Sequence, residues 1–229
     1  MEKLLLTSIQ TKGAFDQNAR ILRENIRKLY ESILLENHEF AEAHEVEQSL
    51  WRLHYTQIEE FRSRIRKSLP PVPIANLASP SSTGGKNIVK RETNQKILAV
   101  FRSFLSEATG FYHDLILKIR AKHGLPQDDL TCNAAESKDG TVDHERVQEL
   151  KRCQLSCHRC LIYLGDLARY KEIHGDSSGE GDAKSHDWSI AAGFYVKSAA
   201  IWPASGNPHN QVLTFLSFVF LEHLSHFNS

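Results

Sequence analysis

The sequence has no surplus charge of either sign: 28 Lys and Arg stand against 28 Asp and Glu over 229 residues. A chain without a net basic field lacks the drive for nonspecific attraction to nucleic acid, although local basic patches stay open to it. Cysteine is scarce. The four sit at positions 132, 153, 157 and 160, and three of them share one helical pattern, which is not the layout of a disulfide framework. A reducing compartment is expected: the cytoplasm, with the nucleus as an addition. No segment alternates apolar and polar residues for a useful length, so no strands are expected. The longest apolar stretch, Val212 to Leu221, is about half of the ~20 residues that a membrane helix needs. The opening MEKLLLTSIQTKG turns polar too soon for a signal peptide. Neither membrane insertion nor secretion is expected.

The machinery of catalysis is also missing. No nucleophile-elbow motif (Gly-x-Ser-x-Gly) is expected to carry chemistry. No carboxylate pair stands beside a supporting histidine, and the 12 histidines are scattered. The run Ser82-Thr83-Gly84-Gly85-Lys86 lacks the spacing of a phosphate-binding loop. The reading is a protein that is not an enzyme, with no catalytic residues and no cofactor.

Helical periodicity fills the space that these absences leave. Leu22, Ile26, Leu29 and Ile33 form one stripe of an amphipathic helix, with Arg20, Arg23, Arg27 and Lys28 expected away from it. A second helical stretch spans about 41–67. Val46, Leu50, Trp51, Leu53, Tyr55, Ile58 and Ile65 give it a broad apolar surface. Leu69 to Lys86, with four prolines and two adjacent glycines, reads as a loop. A long helix follows over roughly 90–123, its buried face marked by Ile97, Phe101, Phe104, Ala108, Phe111, Leu115 and Ile119. Gly110 within it is expected to let a neighbouring helix pack closely, and Gly124 and Pro126 end it. A fourth helix over about 145–173 carries Leu150, Cys153, Cys157, Cys160, Leu164 and Leu167 as its core stripe, and a fifth covers about 187–202. The flexible loops are placed near 69–88, 127–144 and 174–186.

The last two helices follow a degenerate tetratricopeptide (TPR) pattern. Leu161, Leu164 and Gly165 match the apolar and small positions of the first helix, and Ala191, Tyr195 and Pro203 match those of the second. Any helical hairpin is the plainer alternative.

Two clusters invite chemistry. Cys153, Cys157, His158 and Cys160 tempt a zinc assignment. They lie on one helix, three thiols on the core face and His158 elsewhere, whereas a tetrahedral site needs ligands that converge from different directions. Buried thiols acting as small apolar groups is the preferred reading, and no metal is expected. The other cluster, Arg159, Ile162, Asp166 and Arg169, lines the helix face opposite the cysteines, with Tyr170 next to Arg169. An arginine held by a carboxylate three residues earlier is fixed in orientation, and its fork suits phosphate oxygens. A solvated charged face is the plainer reading of the same residues.

Four ordered segments carry a resemblance. Ser156-Cys157-His158-Arg159-Cys160-Leu161-Ile162-Tyr163-Leu164-Gly165-Asp166-Leu167-Ala168-Arg169-Tyr170-Lys171 resembles the signature helix of the SMG family of nonsense-mediated mRNA decay adaptors, relatives of the telomerase-recruiting "ever shorter telomeres" protein. Phe104-Leu105-Ser106-Glu107-Ala108-Thr109-Gly110-Phe111-Tyr112, Leu50-Trp51-Arg52-Leu53-His54-Tyr55 and Trp202-Pro203-Ala204-Ser205-Gly206-Asn207-Pro208-His209-Asn210-Gln211 are similar to three further motifs of that family.

The resemblance implies an all-α fold: a 14-3-3-like antiparallel helical domain with TPR-like hairpins over 1–211. It also implies a function, phosphoserine-dependent binding of the phosphorylated RNA helicase of nonsense-mediated decay. Arg169 and Tyr170 match the family's phosphate-binding Arg-Tyr pair, and Asn210 matches its later asparagine. The family's pocket lysine falls at Thr56, which has no charge. Arg52, or Arg62 further on, is the candidate to compensate. After Gln211 the family continues into an α-helical extension, where this chain has a divergent hydrophobic tail, 212–229. A truncated form that binds without triggering degradation is expected. An alternative function is RNA or single-stranded nucleic-acid binding, or a telomerase-associated role, through Arg62, Arg64, Arg66 and Lys67. A third is heterodimerisation with a related SMG-family adaptor through the Leu22–Ile33 stripe.

Overall fold

The computed structural model describes residues 3–5, 7–8, 16–68, 84–125, 144–175, 186–211 and 213, with the backbone alone over 84–91. The expected loops and the tail fall largely outside these residues, as does Cys132. Among the described residues every regular element is helical, and no helix is long and apolar enough to cross a membrane.

Helix α1 covers Gln17–Glu36. Asp16 starts it: its carboxylate accepts from the amides of Asn18 at 3.0 Å and Ala19 at 3.3 Å, satisfying donors that a first turn leaves open. Asn37 ends α1 and begins the short α2, His38–Ala43, by accepting from the Phe40 amide at 2.9 Å. Glu45, with φ of 49°, then turns the chain into α3, Val46–Ser68. The single stretch expected over 41–67 is therefore two helices. A left-handed residue breaks it, and because that residue is not glycine the periodicity gives no warning. Helix α4 covers Gly84–His123, entering six residues earlier than the apolar pattern begins. Gly124, at φ of 67°, supplies the left-handed step that closes it. Helix α5 covers His144–Ile173 and α6 Ser189–Ile201.

Ring and polar contacts fix the directions. Phe61 stacks on Phe101 with centroids 4.9 Å apart, and Tyr112 Oη lies 3.1 Å from His54 Nδ1. Residue numbers rise on α3 as they fall on α4, so the pair is antiparallel. Glu47 meets Arg159, Trp51 stacks on Tyr163 and Arg62 covers Tyr170. These numbers rise together, so α3 and α5 run side by side in the same direction, with α4 antiparallel to both. Helix α6 then folds back on α5. This antiparallel all-α arrangement is the expected 14-3-3-like class, and the α5–α6 hairpin has the expected TPR-like close approach at Gly165. A β-carbon there would lie 2.6 Å from the Tyr195 ring, whereas Gly110 has nothing within 4 Å of such an atom. Close packing belongs to Gly165, not to Gly110 as expected, because Gly110 lies on the solvent face of α4.

The core confirms the cysteine stripe: Cys153, Cys157, Cys160, Leu164 and Leu167 are fully buried. It corrects two other faces. On α4, Tyr112 is fully buried and Phe111 only partly so, because α4 is covered from two sides. On α1, Arg23 and Arg27 are buried while Leu29 is half exposed. The arginines turn inward because partners await them. Arg23 reaches Gln57 Oε1 at 2.9 Å and lies over the Phe104 ring, while Arg27 reaches Glu107 at 2.9 Å and lies over Phe111. Long arginine stems bury as apolar surface when the head is matched.

Candidate functional site

The C-terminal halves of α3 and α5 present two guanidinium groups to one aromatic ring. Tyr170 is buried, 4% exposed. The Arg169 guanidinium carbon lies 4.7 Å from its ring centroid, and that of Arg62, from α3, lies 5.5 Å away. Two turns back on α5, Trp51 stacks flat on Tyr163 at 4.7 Å and 2°, a contact that contributes about 0.5–1.5 kcal/mol and locks α3 to α5.

Each arginine is oriented. Arg169 Nη2 donates to Asp166 Oδ1 at 3.2 Å, and Tyr195 Oη, from α6, donates to the same oxygen at 2.7 Å. Asp166 is thereby held from two helices. Burial raises its pKa, and the bonds from Tyr195 and Arg169 oppose the rise. Burial works against the Arg169 charge, but Asp166, Tyr170 and Tyr195 outweigh it and the pKa rises. Arg169 Nε is buried without a partner, so the fork keeps hydrogen-bonding capacity. Arg62 pairs with Glu59 on its own helix. Burial lowers the pKa of His174, just past the end of α5, with the Arg62 and Arg102 cations adding to the effect. Arg102 caps the same helix end, donating to the carbonyls of His174 at 2.7 Å and Gly175 at 2.8 Å. Concentrated positive charge with one pre-oriented fork suits an anion with several oxygens.

The sequence-predicted residues separate. Arg169 and Tyr170 stand at the centre, with Arg62 brought in beside them. The Thr56 hydroxyl donates to the Arg52 carbonyl at 2.8 Å, and the Arg52 side chain is exposed. Arg62 and Thr56 are six residues apart, which at 100° per residue puts them on different faces of α3. Tyr55, a further group near Tyr170, shares the Arg62 face. The angle, not the distance along the chain, selects Arg62 over Arg52. Asn210 is exposed on the helical segment 206–211. Arg159 is engaged elsewhere, 3.2 Å from the buried Glu47, which also accepts from Ser156 Oγ. Ile162 is buried. His158 is buried against α6, its Nδ1 2.8 Å from Ser198 Oγ. The contribution of Tyr195 went unseen in the sequence because it depends on a tertiary approach at Gly165. Residues 175–179 spell Gly-Asp-Ser-Ser-Gly, the letters of a nucleophile elbow, but they follow a helix rather than a strand, and 176–179 lie outside the described residues.

The fold and site define a class, an antiparallel all-α domain with an arginine-tyrosine cluster where α3 meets α5. The comparisons narrow it. Residues 45–175, more than half of the chain, match the family model described as telomerase activating protein Est1, and the chain belongs to that family. It is 44% identical over 200 residues to nonsense-mediated mRNA decay factor SMG7 of Arabidopsis thaliana, covering 86% of this chain and 18% of the relative. It is 31% identical over 223 residues to SMG7-like of the same plant, covering 96% and 20%. Telomerase-binding protein EST1A of Danio rerio is 26% identical over 193 residues, covering 83% and 10%. The chain thus spans a fifth or less of the length of these relatives.

Proposed function

We propose that this chain is a phosphoserine-dependent adaptor of nonsense-mediated mRNA decay, acting in the cytoplasm and also in the nucleus, that binds the phosphorylated RNA helicase of that pathway without doing chemistry on it. The observation that carries the reading is the pair of guanidiniums at the Tyr170 ring, one of them oriented by Asp166. The names of the SMG7 relatives supply the pathway. Thr56 brings no charge where the family resemblance expects a lysine, and Arg62 supplies the second cation in its place.

The test is isothermal titration of the chain with a phosphoserine peptide from the helicase and with its unphosphorylated form. Phosphate-dependent binding is expected, and Arg169→Glu should abolish it. Charge-assisted bonds are worth about 1.5–3 kcal/mol each, so Arg62→Ala should weaken affinity roughly ten- to hundredfold. Arg52→Ala should leave it unchanged. Equal binding of both peptides by folded protein would sink the reading.

Nucleic-acid binding by the end of α3 has weaker support, since Arg64 lies 2.7 Å from Glu60. Arg66 and Lys67 remain exposed. A steep salt dependence of RNA affinity would favour that reading instead. Pairing with a related adaptor would use the outer face of α1, where Ile21 and Leu29 are exposed.

A further inference from the structure

At the other end of α5, about 25 Å along the helix from Tyr170 at 1.5 Å per residue, three ligand-bearing side chains from three helices converge. They are His38 of α2, His123 at the end of α4 and Cys153 of α5. All are buried, at 6%, 7% and 0% exposed, and one ligand atom from each lies within 4.8 Å of the others. The two imidazoles face each other, with His38 Nε2 3.1 Å from His123 Nε2. In a tetrahedral zinc site with bonds of about 2.05 Å, two nitrogens lie about 3.3 Å apart. The pair is already at coordination spacing.

The surroundings have the form of a metal site's outer shell. His123 Nδ1 lies 3.0 Å from Glu149 Oε1, the carboxylate–histidine arrangement that fixes the tautomer and leaves Nε2 free to ligate. His38 Nδ1 is buried with no partner, so in the metal-free state His38 carries its proton on Nε2 and donates it to His123. Beside the trio is an open cleft of about 720 Å³ whose wall includes Glu36, Glu39, His144 and Glu149. Nearby cations oppose metal binding, but Arg146 is bonded to Glu149 at 3.0 Å and Arg152 to Glu42 at 3.2 Å. Among the described residues, Lys122 is a further cation acting on His38 that the acidic wall must offset.

We propose that His38, His123 and Cys153 bind one Zn²⁺ that pins α2 to the ends of α4 and α5, its fourth position filled by water from the cleft. Two imidazoles and a thiolate are donors that suit zinc rather than the oxygen-seeking magnesium and calcium. On binding, the Cys153 S–H bond breaks, a Zn–S bond forms and the proton leaves through the cleft. The His38 proton moves from Nε2 to Nδ1. No electron is transferred.

Cobalt(II), which takes zinc's geometry and absorbs light, is the probe. Added to the metal-stripped 229-residue chain, one equivalent should bind. It should give thiolate-to-cobalt charge transfer and the visible bands of a tetrahedral site, and zinc should displace it. Cys153→Ala should remove the charge-transfer band, and Cys157→Ala, one turn along the same stripe, should keep it. Glu149→Gln, at a partly exposed position that leaves the core intact, should weaken cobalt binding about 10–100-fold. No charge-transfer band in folded wild-type chain, an undiminished band in Cys153→Ala, or unchanged affinity in Glu149→Gln would each overturn the site.

Discussion

A methyl group at position 165 would sit 2.6 Å from the ring of Tyr195, and that ring cannot swing aside without releasing Asp166. Gly165→Ala should therefore cost about 1–3 kcal/mol, the usual penalty of overpacking. It should also loosen the fork of Arg169. Gly110 is the opposite case: a mid-helix glycine with open space around it. Gly110→Ala should stabilise the chain by about 0.5–1 kcal/mol by helix propensity alone. Urea unfolding of both variants beside the parent would check the pair, and equal effects would show that the Gly165 contact is not tight.

At the scale of elements, Arg102 ties α4 to the end of α5, beside the contact of Phe101 with His174. Arg102 donates to the carbonyls of His174 and Gly175, where the α5 dipole is negative. Arg102→Ala should cost about 1–2 kcal/mol and fray the turn that carries Tyr170. Hydrogen exchange should quicken in the last turn of α5 and not around Cys157. What could be read from the sequence at this scale depended on how many neighbours a helix has. The cysteine stripe of α5 was legible because thiols and leucines recur on one face. The inner face of α1 was not, because Arg23 and Arg27 look solvated until Gln57, Glu107, Phe104 and Phe111 are in place. Arg169 and Tyr170 were legible from a resemblance. Preferring Arg62 to Arg52 required the rotation of α3 against α5. The His38, His123 and Cys153 group was beyond reach, because its members are far apart in the chain and meet only when three helices do.

The molecule as a whole answers to acid through buried imidazoles. His54, 1% exposed between α3 and α4, has its pKa lowered to about 3 by burial, with the Arg27 and Arg23 cations adding and the Leu50 carbonyl opposing. Unfolded, it titrates at 6.5. Between these values the unfolded chain binds the extra proton, so stability is complete above pH 6.5 and falls as the pH drops through the window. One such group gives a slope of up to about 1.4 kcal/mol per pH unit. Denaturant midpoints from pH 7.5 to 5 should fall accordingly, and His54→Gln should flatten the fall. A slope unchanged by that substitution would place the acid sensitivity elsewhere.

The position of α4 between α3 and α5 also matters during synthesis. Once His123 has been made, α4 can fold against α3, but the side of α4 that packs on α5 has no cover until α5 is complete. At the pace of a ribosome, the roughly 50 residues from Gly124 to Ile173 take roughly 3–10 seconds. For that interval the nascent chain shows this apolar surface to the cell, and a chaperone would find it there.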